Sequence, residues 1–81
     1  MKTHEVKILP NYYEDVLSGK KTFELRKDDR DYKVGDLIVL KEYDSSENVY
    51  TGREKMYGIG YILRNCPEYG LQEGYCILGL F

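Results

Sequence analysis

The stretch "SGKKTFELRK", residues 18–27, decides the reading of this chain: Lys20, Lys21, Glu24, Arg26 and Lys27 surround only two apolar residues, Phe23 and Leu25. Side chains alternate along a strand, so a regular pleat predicts Lys21, Phe23 and Leu25 on one face and Thr22, Glu24 and Arg26 on the other. A strand that only covers a core would carry fewer ions. The expectation is that this one lines a cleft, with its two apolar residues anchoring it in the core.

Upstream, "HEVKIL" sets His4, Val6 and Ile8 against Glu5, Lys7 and Leu9, the period-two signature of a half-buried strand. Pro10 suits the first position of a helix, and "PNYYEDVLSG" places Tyr12 or Tyr13, Val16 and Leu17 at helical spacing before a stop at Gly19. Downstream, "KDDRDYKVGD" reads as loop, with Gly35 and Asp36 as turn chemistry before the apolar strand "LIVLKEY". The segment "DSSENVYTGRE" reads as a polar, hairpin-like connection. "KMYGIGYIL" is a strand whose glycines signal a bend or a close backbone approach, "RNCPEYGLQEG" a second connection, and "YCILGLF" a closing strand. Five short strands with one helix between the first two predict an α+β, mainly β domain of barrel type.

With 81 residues there is room for one domain, residues 1–81, and the 42% hydrophobic and 32% charged content fits a folded chain. Net charge is −2, so attraction to nucleic acid must be local. The segment from Lys20 to Lys33 supplies such a surplus, with six basic and four acidic residues. Cys66 and Cys76 lack metal-ligand spacing and His4 is remote from both, which predicts free thiols, a structural histidine and no metal or organic cofactor. "MKTHEVKILP" lacks the apolar run of a signal peptide and no stretch reaches membrane-spanning length, which predicts a cytoplasmic protein with no membrane partner.

Gly19, Lys21, Glu24 and Arg26 fit the pattern G-x-K-x-x-E-x-R. This resembles the motif of the ASCH domain, in the PUA-like superfamily, and the surrounding "VGDLIVL" and "GYCILGLF" segments extend the resemblance over nearly the whole chain. "HEVKILPNYYEDVLSGKKTFELRKDDRDYKVGDLIVLKEYD", with "YTGR", "YILR" and "GYCILGL", is most similar to a small bacterial and phage branch of unassigned function. The resemblance implies a five-to-six-stranded β-barrel whose cleft, beside the motif strand and helix, takes single-stranded RNA or a nucleotide-like ligand.

Under that reading Lys21 contacts an anion, Arg26 offers its planar fork to a phosphate or base edge, and Glu24 orients it or accepts from a base amino group. Lys27, Arg30 and Arg53 form a basic rim, and Tyr12 and Tyr57 are stacking candidates. The bland alternatives are an exposed lysine, a same-face Glu24–Arg26 ion pair, solvated loop charges and core tyrosines.

Some compact ASCH relatives are amidohydrolases of acylated cytidine that use a lysine, a threonine nucleophile and a glutamate. Lys21 stands at the matching lysine, but Glu24 occupies the nucleophile position, so catalysis would need Glu24 as general base for water beside Lys21. A protein-interaction or phage accessory domain is the third possibility.

Overall fold

A computed structural model describes all 81 residues. Strand β1 (Thr3–Ile8) is followed by helix α1 (Pro10–Leu17), β2 (Phe23–Lys27), β3 (Leu37–Asp44), β4 (Val49–Leu63), a 3-10 turn at Pro67–Tyr69, and β5 (Tyr75–Leu80). The sheet order is β1-β3-β4-β5-β2, with β1 parallel to β3 and every other pairing antiparallel. The result is the expected mainly β architecture with one short helix.

The ladder does not close into a barrel, because β1 and β2 stay unpaired at the two ends of the strand order. Side chains span that seam instead. Arg26 on β2 donates to the Lys7 carbonyl at 3.3 Å, and Arg30 in the following loop donates to the Glu5 carbonyl at 3.0 Å. Donors on long side chains thereby satisfy β1 edge groups that a sixth strand or direct closure would have paired.

β1 follows its alternation: His4, Val6 and Ile8 are buried, and Glu5 and Lys7 exposed. α1 begins at Pro10 and ends before Gly19, whose φ of +81° stops the helix, and it buries Tyr13 and Val16. These join Val6, Ile8, Ile38, Leu40, Ile59, Cys76 and Leu78 in one core. Tyr32, in the charged loop before β3, is fully buried with them, its ring centroid 4.7 Å from that of His4 with the planes tilted at 58°.

Asp36 pins the start of β3 to the start of β1. Its carboxylate accepts the Lys2 amide at 3.0 Å and the Lys33 amide at 3.1 Å, and lies 2.8 Å from His4 Nε2. The backbone bond from Lys2 and the His4 contact lower the Asp36 carboxyl to about 2.

Besides barrel closure, two further sequence expectations are corrected. β4 reaches back to Val49, through most of what reads as a polar connection, because Asp44 accepts from Ser46 and Glu47, and Asn48 adopts φ +56°, closing the hairpin early. Residues 49–56 are all exposed, so no burial alternation marks them. The second correction concerns β2, which starts at Phe23, so that Lys21 and Thr22 precede the strand, and is inverted: Glu24 is buried, whereas Phe23 and Leu25 are 44% and 53% exposed. The two apolar residues do not anchor the strand in the core.

Candidate functional site

The inversion of β2 builds the site. Glu24 pairs with Leu78 of β5 and points inward, so its carboxylate must be satisfied by its own neighbours. Lys21 lies in the extended segment before β2 and folds back, its Nζ donating to Glu24 Oε1 at 2.9 Å and to the Phe23 carbonyl at 2.6 Å. Arg26 Nη1 donates to Glu24 Oε2 at 2.8 Å. Both carboxylate oxygens are thus engaged by cations, and the trio carries one net positive charge.

The three motif residues converge on a cleft of about 460 Å³ set at the open seam, within the range of small-ligand sites. One wall is Lys7, Ile8, Leu9 and Tyr12, from the end of β1 and the start of α1; the other is Lys21 and Phe23 to Arg26. The Lys21 ammonium also sits over the Phe23 ring at 4.9 Å and the Tyr12 ring at 5.7 Å. Because only Nη1 of Arg26 is held by protein acceptors, Nη2 and Nε remain as donors for a ligand.

The remaining expected site residues lie elsewhere. Arg53 belongs to a separate cluster, 2.7 Å from Glu14, 3.6 Å from the buried Glu42 and 5.0 Å from the Tyr13 ring centroid. Thr51 donates to Glu42 at 2.7 Å in the same cluster. Arg30 bridges to β1, Lys27 is exposed at the end of β2 opposite Tyr75, and Tyr57 packs partly buried against the core opposite Ile38. Tyr12 alone of the two expected stacking tyrosines reaches the cleft. Lys7 and Leu9, which sequence reasoning missed, could have been flagged as the outward residues at the end of β1 nearest the helix.

No three His, Cys, Asp or Glu side chains cluster as a metal site requires. Cys66 and Cys76 are free and buried, and burial pushes the Cys76 thiol above its usual value, the opposite of activation.

A family model described as a domain of unknown function, DUF3850, matches residues 3–80. The chain belongs to this family. It is also 47% identical over 53 residues to an uncharacterized 12.9 kDa protein in the GpA 3' region of Escherichia phage P2. The aligned stretch covers 65% of this chain and 47% of the phage protein, so the chain spans about half of that relative's length. The cleft residues of this DUF3850 domain fall inside the family match, and no helix in it is long and apolar enough to cross a membrane.

Proposed function

We propose that this DUF3850 domain is an ASCH-like, PUA-related module that binds a short single-stranded RNA or a nucleotide-like ligand in the seam cleft. The observation that carries the reading is the buried Glu24 carboxylate holding Lys21 and Arg26 at 2.9 and 2.8 Å beside Tyr12 and Phe23. A carboxylate that fixes two cations reduces the ordering cost of binding an anion, and the adjacent aromatic rings offer a face to a base. With about two phosphate contacts the log–log salt slope for a single strand is about −1.4, so binding is weak and confined to short ligands.

Water activation by Glu24 receives less support. Both its oxygens already accept from cations, and Thr22 is exposed before β2, outside the residues that line the cleft. Fluorescence anisotropy of a labelled single-stranded hexaribonucleotide, titrated at low and moderate salt, tests the binding reading. Wild-type binding with a shallow salt slope, lost in Lys21→Ala and Arg26→Ala, is expected. Equal binding by both variants would discard the cleft as the site.

A further inference from the structure

The outer face of β2, β5 and β4 is the largest feature the cleft does not explain. In the register, Phe23 opposes Gly79, which opposes Tyr61; one step along, Leu25 opposes Ile77, which opposes Leu63. Directly opposed residues share a sheet face, and the alternate positions Glu24, Leu78 and Ile62 point inward, so these two rows lie together outside. Phe81 extends them: its ring lies over Gly58 and Gly60, where a Cβ on Gly58 would sit 2.5 Å from it. No charged residue occurs in either row.

The exposed fractions are 44% for Phe23, 53% for Leu25, 67% for Tyr61, 40% for Leu63 and 78% for Phe81. At ~200 Å² per aromatic side chain the three rings leave about 400 Å² in water, and the leucines bring the patch to about 500 Å². That is near the upper end for a monomer's largest apolar patch.

We infer that this face is an isologous interface with a second copy of the chain. Two such patches together bury about 1,000 Å², the small end for a specific interface, and the two central rows carry no charge, with Lys21 beside Phe23 and Lys27 one row beyond Leu25 at the rim. Gly79, between Phe23 and Tyr61, carries no side chain, and a Cβ there would meet only Tyr61, at 3.4 Å or more, which leaves room over the glycine for a side chain of the other copy. Phe23 and Leu25 line the cleft as well as the patch, so the dimer sets each cleft beside the interface. An interface at the small end of the size range is expected to be weak, so self-association is sought from micromolar to sub-millimolar chain.

Sedimentation equilibrium from about 5 to 500 μM tests the inference. The expected result is a mass rising from 9.5 kDa towards twice that value, with the double variant Tyr61→Glu/Leu63→Glu weakened at least 100-fold and its circular dichroism unchanged. Should the double variant lose its fold, Tyr61→Ser, at a side chain already two-thirds in water, replaces it and is expected to weaken association about tenfold. A wild-type protein that stays at 9.5 kDa throughout overturns the inference. So does undiminished dimerisation of the folded variants, which would place the contact on another face.

Discussion

Two buried carboxylates, Asp36 and Glu24, are about equally withdrawn from solvent, at 5% and 6% exposure, yet are used differently. Asp36 accepts from two backbone amides and a buried histidine, groups with little freedom, and joins the starts of two parallel strands. Glu24 accepts from two long cationic side chains that keep part of their surface in water at the wall of a cleft. A carboxylate satisfied by backbone fixes the fold. One satisfied by cationic side chains at a cleft wall holds charge ready for something else.

The contrast breaks most visibly if Asp36→Ala is mild. That variant leaves the buried His4 and two part-buried amides without their acceptor, and thermal denaturation is expected to show a larger drop in melting temperature than any single substitution at the cleft produces. Glu24→Ala comes next. It strands two partly buried cations, costing about 2–3 kcal/mol, or roughly 10–20 °C in melting temperature, and it abolishes ligand binding in anisotropy.

Acid sharpens the difference further. The Asp36 carboxyl titrates lower in the folded chain, about 2, than in the unfolded one, so its contribution is complete above about pH 4 and is lost as pH falls through about 2. Far-ultraviolet circular dichroism between pH 5 and 2 should show this acid limb, and Asp36→Asn should remove it.

Arg26→Lys is expected to lose about tenfold in ligand affinity with less than ~1 kcal/mol of stability, since a lysine keeps the charge but not the two spare donors of the guanidinium. Arg53→Ala should leave cleft binding intact, because its partners, the half-exposed Glu14 and the buried Glu42, lie away from the seam, and it should lower the melting temperature less than Glu24→Ala, since Glu42 keeps its hydrogen bond from Thr51.

Much of the fold is legible in the sequence. β1 is buried on one side and shows it by alternation, and α1 carries both of its boundary signals in Pro10 and Gly19. The first half of β4 is not legible because both its faces are exposed, so pairing with β3 leaves no hydrophobic period to read. The facing of β2 escapes the pattern for a physical reason: a rule that sends apolar residues inward fails where a buried carboxylate has two cations within three residues and the apolar face has a different use.

The convergence of Lys21, Glu24 and Arg26 is readable from the motif, whereas Lys7 and Leu9 can be flagged only as outward residues at the end of β1, since their place opposite β2 depends on how the two end strands of the sheet approach each other. Residue type alone groups Arg53 and Tyr57 with the site. Register places them on β4, at Glu42 and the core respectively.

Ligand binding at the seam is tested at residue level by titrating the isotopically labelled domain with a short single-stranded RNA at low salt, followed by amide and side-chain NMR. The expected result is a set of shifts concentrated at Lys7, Tyr12 and residues 21–26 that fade with added salt, with Arg53 and Glu42 unmoved. Shifts centred on the Arg53 cluster, or none at the cleft at millimolar RNA, would contradict a binding role for the Lys21–Glu24–Arg26 trio.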